Sequence, residues 1–205
     1  MRPTRIPLFP LEVVLLPGMP LPLHIFEPRY RKMIGLCLSE KREFGMILAQ
    51  EKELAAIGCT AEVVQKLKEY DDGRMDILSE GRAVFHLSEV LDEEEYYEGI
   101  VEYLMDEPSA LDAEKESRLL EMFKRVQSVM QGEQRTSAAK SEIPLAYRLA
   151  AQLPMDLPEK QKLLEMREEP ARQEFLLKWM NETLPRLLQT QRVRQLAGGN
   201  GHGVK

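Results

Sequence analysis

Residues 6–30 read IPLFPLEVVLLPGMPLPLHIFEPRY and combine runs of apolar side chains with six prolines. Proline fixes φ and lacks an N–H donor, so this segment cannot form a central β-strand throughout its length. Pro17-Gly18 is a turn pair, and residues 24–30 pass from a strand-like into a helix-like pattern. The apolar stretch between Val13 and Phe26 is too short and too often broken by proline to be a membrane-spanning helix.

Strand-like patterns follow at regular intervals. From Ile57 to Leu67 apolar and polar residues mostly alternate with a period of two, which is typical of a half-buried strand. Asp72-Gly73 favours a tight hairpin turn, and Glu80-Gly81 favours a second turn. The predicted strands are Phe44–Ala49, Ile57–Leu67, Arg74–Leu78, Arg82–Leu87 and Tyr96–Leu104. Many short strands with frequent turns predict a small barrel or sandwich.

Helical patterns dominate the second half of the chain. One helix, Glu27–Leu38, interrupts the strands and has Pro28 in its first turn. Beyond Pro108 the apolar period becomes helical. The predicted helices there cover residues 119–130, residues 144–153, a short segment opened by the capping box Asp156–Glu159, and a long segment from Pro170 that Pro185 kinks or divides. The order predicts an α+β chain, with a sheet domain over 1–110, a helical domain over 111–195 and a flexible tail over 196–205.

Charge is unevenly distributed along the 205 residues. The formal net charge is −6; residues 1–110 carry −9 and residues 111–205 carry +3. An acidic chain is a poor binder of nucleic acid or of an anionic membrane, because both depend on clustered Lys and Arg. Two cysteines, Cys37 and Cys59, are too few for a disulfide scaffold of this size. We therefore expect reduced thiols in a cytoplasmic protein.

The sequence offers no pattern that supports catalysis. It contains no GxxxxGK[ST] phosphate loop, no GxGxxG turn and no GxSxG nucleophile elbow. Its histidines, His24, His86 and His202, are far apart, and its cysteines lack the short spacing of a zinc site. We interpret His24 and both cysteines as structural residues. The expectation is a protein without enzymatic activity, metal or cofactor.

The blocks quoted above resemble the N-terminal, substrate-binding domain of the Lon protease family. The similarity continues through FGMIL at 44–48, IGCTA at 57–61, Asp72-Gly73-Arg74 and Gly81-Arg82, and weaker helical blocks occur at 149–154 and 160–165. The resemblance implies a PUA-like β-barrel followed by a helical bundle. It also implies recognition of unfolded or tagged polypeptides. The ATPase and Ser–Lys protease modules of full-length Lon are absent from these 205 residues, so we expect a stand-alone recognition module.

Recognition of an unfolded chain requires accessible apolar surface. We expect that surface at a concave junction between the barrel and the helical part, where ligand sites are common. The candidate binding residues are Phe9, Pro10, Leu11, Leu15, Leu16, Pro17, Met19, Leu21, Phe26, Trp179 and Met180. Core packing is the competing interpretation for each of them.

Three other partners fit the sequence less well. PUA-like barrels of other families bind RNA, which predicts a basic stripe with interleaved aromatics. Here the aromatics of the first half lie among acidic residues, as in Glu95-Tyr96-Tyr97-Glu98. An adaptor for a separate protease or chaperone, or a homo-oligomer, remains an alternative, and the net charge of +3 on the helical half suits an acidic partner surface.

Overall fold

The computed structural model describes residues 2–51, 53–93, 95–110, 112–130 and 142–199, the last six of these by their backbone alone. The polar segment 131–141 and the end of the predicted tail, residues 200–205, lie outside the described residues. Internal contacts group the chain into two compact units. The first comprises the described residues within Met1–Glu107 and Ala150–Arg167, and the second those within Pro108–Leu149 and Glu168–Lys205.

The first unit contains a mixed sheet and two helices. The strands are β1 (Arg5–Leu11), β2 (Pro20–Ile25), β3 (Phe44–Gln50), β4 (Glu53–Leu54), β5 (Ile57–Glu69), β6 (Met75–Leu91) and β7 (Glu98–Tyr103). The helices are α1 (Pro28–Glu40) and α4 (Leu157–Glu165). The second unit is helical and contains α2 (Ala113–Met130), most of α3 (Leu145–Ala150) and α5 (Glu169–Gly199). The predicted α+β class is confirmed.

Strand pairing in the sheet closes on itself. β1 pairs antiparallel with β7, where Arg5 faces Ile100, and parallel with β3, where Leu8 faces Gly45. β7 pairs with β6, β6 with β5, and β5 with β3, all antiparallel, which completes a ring of five strands. Apolar side chains from four of these strands fill its centre: Ile6, Leu8, Ile47, Phe85 and Val101. This ring is the core on which the rest of the unit is built.

A three-stranded arm extends from the ring. It consists of β2, residues 75–80 of β6 and residues 62–69 of β5, with Leu23 opposite Ile77 and Ile77 opposite Lys66. The turn between β5 and β6 is the predicted hairpin: the Tyr70 N–H donates to the Arg74 carbonyl at 2.9 Å, and Gly73 takes φ +82°. Such a positive φ is readily accessible to glycine alone, which explains the Asp-Gly signal in the sequence.

The second predicted turn, at Glu80-Gly81, is wrong. Residues 75–91 form one strand without interruption. Gly81 instead allows a close approach of the chain, because a Cβ there would lie 2.2 Å from the Leu16 carbonyl oxygen. The Gly81 N–H donates to the Met19 carbonyl at 3.1 Å, and the Gly18 N–H donates to the Gly81 carbonyl at 2.8 Å. The glycine thus anchors the turn at Pro17 to the middle of β6.

Two helix starts follow the predicted signals. α1 begins at Pro28, where the missing N–H has no helical partner to lose. α4 begins after Asp156, whose side chain accepts from the Glu159 N–H at 3.0 Å, while the Glu159 carboxylate accepts from the Asp156 N–H at 3.0 Å. The predicted capping box is therefore confirmed.

The long helix α5 departs from the prediction in two ways. It runs unbroken from Glu169 to Gly199 with Pro185 inside it, so of the predicted kink or division at Pro185 the division is wrong. It also extends into the tail predicted from residue 196. Within the helical unit α5 packs against α2, which buries Leu119, Phe123 and Val126. Packing of this kind stabilises a helix beyond what its propensities give, which is why one proline does not end it.

The grouping of residues 150–167 also differs from the sequence-based division. That segment was predicted to be part of the helical domain, whereas its contacts place it in the sheet unit. Gln161 of α4 donates to the Ile57 carbonyl of β5 at 3.1 Å. The Glu107 N–H donates to the Arg167 carbonyl at 2.8 Å, and the Arg167 guanidinium lies 3.3 Å from the Asp106 carboxylate. These bonds connect the middle and the C-terminal end of the segment to the rest of the sheet unit.

Candidate functional site

The eleven candidate residues separate by burial. Six are buried: Phe9, Leu15, Leu16, Pro17, Trp179 and Met180. Four are partly buried: Pro10, Leu11, Met19 and Leu21. Phe26 is exposed, with 59% of its surface accessible. Trp179 and Met180 belong to the helical unit and the other nine to the sheet unit.

Leu15, Leu16 and Phe9 are core residues of the sheet unit. The ring of Phe9 lies 4.1 Å from that of Tyr30 and 6.2 Å from that of Phe44, centroid to centroid. Leu15 and Leu16 have no more than 1% of their surface exposed. A partner cannot reach these side chains while the unit stays folded. Burial therefore leaves Phe26 as the one exposed candidate, with Pro10, Leu11, Met19 and Leu21 only partly accessible.

Phe26 belongs to a cluster of aromatic rings on the arm. The His24 ring stacks on Phe26 with a centroid separation of 6.0 Å, and meets Tyr70 edge-on at 5.9 Å. The β2–β6 register explains the position of His24, because it places His24 opposite Asp76. We refer to Phe26, His24 and Tyr70 as the aromatic cluster. Of these three residues only Phe26 was a binding candidate predicted from the sequence, and His24 was interpreted as structural.

Asp76 connects two members of the aromatic cluster. Its Oδ1 lies 2.5 Å from His24 Nδ1, and its Oδ2 accepts from the Tyr70 hydroxyl at 2.9 Å. These hydrogen bonds, that to His24 first and then that to Tyr70, lower the pKa of Asp76 because they favour its charged form. Both rings are thereby fixed on one face of the arm. Sequence reasoning missed Asp76 and Tyr70, since only the cross-strand register brings them to His24.

Cations border the aromatic cluster. The Lys68 ammonium lies 4.3 Å and the Arg74 guanidinium 5.0 Å from the Tyr70 ring centroid. Arg74 also pairs with Asp72, Nε to Oδ2 at 2.7 Å. The face of the arm therefore offers exposed aromatic surface with positive charge at its border. Aromatic surface of this kind suits contact with apolar side chains of a partner.

The sheet unit also contains a cleft, and its lining differs from the aromatic cluster in polarity. The cleft, of about 610 Å³, is lined by Glu12, Ala49, Gln50, Glu51 and Glu53. Its lining is largely polar and acidic, which does not suit an apolar segment. Among the described residues, no three His, Cys, Asp or Glu side chains are placed to hold a metal ion.

Both cysteines are buried and unreactive. Burial raises the pKa of the Cys37 thiol to about 11, and burial raises that of Cys59 further. A thiol attacks as its thiolate, so neither group is a nucleophile near neutral pH. Within the residues that the structure describes, no helix has the length and hydropathy needed to cross a bilayer.

The mixed sheet with its arm, followed by helices, defines an α+β protein whose accessible aromatic surface lies on the sheet unit. The sequence profile of the ATP-dependent protease La (LON) substrate-binding domain matches residues 5–182. The chain belongs to this family.

Known proteins of the family are similar over nearly the whole chain. The Lon protease of Escherichia coli strain K12 is 27% identical over 208 residues, covering 93% of this chain and 26% of that protein. The Lon protease of Buchnera aphidicola (subsp. Acyrthosiphon pisum) is 27% identical over 206 residues, with 92% and 26% coverage. This chain thus spans about a quarter of the length of these relatives.

Two solved structures of Lon N-terminal domains share this fold of a mixed sheet followed by helices. The Lon N-terminal domain protein from Xanthomonas campestris superposes with a TM-score of 0.68 at 25% identity, covering 86% of this chain and 99% of that one. The N-terminal domain of the Mycobacterium avium complex Lon protease superposes with a TM-score of 0.63 at 16% identity, with 86% and 98% coverage. The latter shows a shared fold only.

Proposed function

We propose that this chain is a non-catalytic module that recognises unfolded or tagged polypeptides. The observation that carries the proposal is the match to the Lon substrate-binding domain over residues 5–182. In the same proposal the closed ring of five strands is a PUA-like β-barrel, and the polypeptides are delivered to a separate protease or chaperone. Two free, buried thiols support a cytoplasmic location, because such thiols persist in reducing compartments.

The arm is the proposed binding surface. Phe26 is the candidate residue with the most accessible surface, and it stacks on His24, whose ring, like that of Tyr70, is hydrogen-bonded to Asp76. A fixed aromatic surface loses little conformational entropy when it binds. The proposal therefore moves the contact from the expected junction between barrel and helices to the exposed face of the sheet unit.

Direct binding tests this proposal. The fluorescence anisotropy of labelled, reduced and carboxymethylated casein should rise when the protein is added. Phe26→Ser should weaken binding and raise the Kd about tenfold. The estimate scales the roughly 1.5–3 kcal/mol for complete burial of a large apolar side chain to the 59% of Phe26 that is accessible, which gives about 0.9–1.8 kcal/mol. Val193→Ser is the matched control, because Val193 is equally exposed (60%) but lies on α5.

Three outcomes contradict the proposal. The first is no binding to casein or to other unfolded chains. The second is reproducible peptide cleavage by the purified protein that a point mutation abolishes. The third is tight binding of single-stranded RNA that falls steeply with salt, because neutralised phosphates release counterions whereas apolar contact depends little on salt. The third outcome would instead favour the RNA-binding alternative.

A further inference from the structure

Strand β5 has a free edge along the arm. Its pairing with β3 covers only Cys59 to Ala61, whereas its pairing with β6 continues to Glu69. Among the described residues no strand pairs with the other side of residues 62–69, and all of these side chains but Val63 are exposed. An unpaired edge presents backbone N–H and C=O groups that another extended segment can pair with.

Two β-bulges lie on this edge. The register moves from Val63 opposite Ser79 to Gln65 opposite Leu78, and again from Lys66 opposite Ile77 to Lys68 opposite Asp76. The additional residues are Val64 and Leu67, which are left without a partner on β6. They are also exposed apolar side chains, at 43% and 53%. Bulges redirect side chains and occur next to functional sites.

The opposite edge of the arm is closed to pairing. That edge is β2, where Pro20 faces Glu80 and Pro22 faces Leu78. Each proline lacks the N–H that a further strand needs as a donor. Within residues 62–69 there is no proline. The arm therefore accepts an added strand on its β5 side only.

Charges on the β5 edge select the occupant. Glu62 pairs with Arg82 at 2.8 Å, and Lys66 pairs with Glu69 at 2.6 Å. The remaining charged residue, Lys68, lies over the Tyr70 ring and opposite Asp76, so its ammonium already lies near one carboxylate and favours anions on this side of the arm. An incoming strand with apolar side chains next to Val64 and Leu67, and a carboxylate next to Lys68, matches this edge in both polarity and charge.

A second copy of the chain fits the edge poorly. In an antiparallel pair of two β5 edges, the register that places Val64 opposite Leu67 also places Glu62 opposite Glu69, twice. Like charges directly opposite each other destabilise a strand pair. The edge therefore disfavours the dimer that its apolar residues alone would favour.

We propose that the module binds an extended segment of its polypeptide partner as an additional strand on the β5 edge, residues 63–69. The partner segment alternates apolar residues, which contact Val64 and Leu67, with an acidic residue that pairs with Lys68. This inference rests on the proposed function and specifies how the polypeptide is held.

Hydrogen exchange of the full chain distinguishes this inference from the proposed function. Reduced, carboxymethylated casein at saturating concentration should slow amide exchange at least tenfold within residues 63–69. Exchange within β1, which pairs with both β7 and β3 in the ring, should not change. Slowing confined to other segments would overturn the strand-addition inference while leaving polypeptide recognition intact, whereas absence of binding would overturn the proposed function itself.

Matched variants give a second readout. Leu67→Asp should weaken casein binding at least fivefold and remove the protection of 63–69. Val90→Asp should do neither, because Val90 is a similarly exposed apolar residue (41%) that lies beyond the arm on β6. Equal loss in both variants would contradict the proposal. Concentration-dependent dimerisation that Leu67→Asp abolishes would assign the edge to a second copy and also overturn it.

Discussion

Gly81 lies within β6, where the backbone around Leu16 crosses the strand. A Cβ at Gly81 would lie 2.2 Å from the Leu16 carbonyl oxygen and 2.9 Å from its carbonyl carbon. Both are backbone atoms, so a rotamer change cannot relieve the contact. The two hydrogen bonds that join Gly81 to Met19 and Gly18 restrict the backbone further. The position therefore tolerates no side chain unless the turn at Pro17 moves.

We predict that Gly81→Ala destabilises the protein by roughly 1–3 kcal/mol, the range for forcing extra atoms into a packed interior. Gly35→Ala is the control, because Gly35 lies within α1 and a Cβ there meets no atom within 4 Å. That variant should be more stable by roughly 0.5–1 kcal/mol, since alanine favours a helix over glycine. Urea unfolding measures both. Equal midpoints for the two variants would contradict the close approach at Gly81.

Helices α3 and α5 are joined by a side-chain network around the ion pair of Arg172 with Glu169, both on α5. Arg172 of α5 has no exposed surface; its Nε donates to Glu169 at 2.9 Å and its Nη1 to the Tyr147 hydroxyl at 3.2 Å. Its guanidinium also lies 4.4 Å from the Tyr147 ring centroid. The Glu169 carboxylate in turn accepts from the Ala146 N–H at 2.8 Å, at the start of α3. One side-chain network therefore fixes the first turns of both helices.

Arg172→Met should lower the free energy of unfolding by about 3–5 kcal/mol, because it leaves the Glu169 carboxylate buried without a cation. The double variant Arg172→Met, Glu169→Gln should recover part of that loss, since glutamine keeps an acceptor for Ala146 without the charge. Chemical denaturation of the unmodified protein, Arg172→Met, Glu169→Gln and the double variant completes a double-mutant cycle. Additive losses would show that the pair contributes no coupling energy.

Local signals predicted the element starts well, and non-local contacts account for most of the errors. Pro28 and the Asp156 capping box mark helix starts because the groups that they satisfy lie within one turn. By contrast, the role of Gly81 depends on Leu16, 65 positions away in sequence. The bulges at Val64 and Leu67 are likewise defined only by the register with β6. Because the contact with Leu16 is not visible in the sequence, a turn was predicted at Glu80-Gly81, where strand β6 continues.

The accessible part of the apolar segment was harder to predict than the fold, for the same reason. Leu16 and Phe26 belong to one apolar segment and look alike in sequence. Closure of the strand ring and packing against Gly81 bury Leu16, whereas Phe26 follows the end of β2 and stays accessible. Alternation within a strand indicates two faces but not which neighbour covers each of them. Asp76 and Tyr70 could be connected to His24 only once the register of β2 was known.

At the scale of the whole molecule, the sheet unit is assembled from two separate parts of the sequence. Residues 150–167 contribute Leu163 and Leu164, both buried, and Gln161, which donates to the Ile57 carbonyl. That bond lies two residues from the buried Cys59 on β5. Loss of the segment should expose the start of β5, so the reactivity of Cys59 reports on how the unit is assembled.

We predict that a chain ended after residue 110 reacts with a thiol reagent at Cys59 at least tenfold faster than the full chain at pH 8. In the full chain both thiols are buried, and burial raises their pKa values, that of Cys37 to about 11. Both thiols therefore remain almost entirely protonated at pH 8. Peptide mass spectrometry separates the two sites, and urea-unfolded protein gives the upper limit of the rate. Equal protection of Cys59 in both chains would mean that residues 1–110 form the unit alone, which would restore the boundary that the sequence predicted. Faster labelling of Cys59 would instead show that the sheet unit needs residues 150–167, which begin more than 40 residues beyond the last strand. Tertiary contacts, and not position in the sequence, would then define the boundary of the unit.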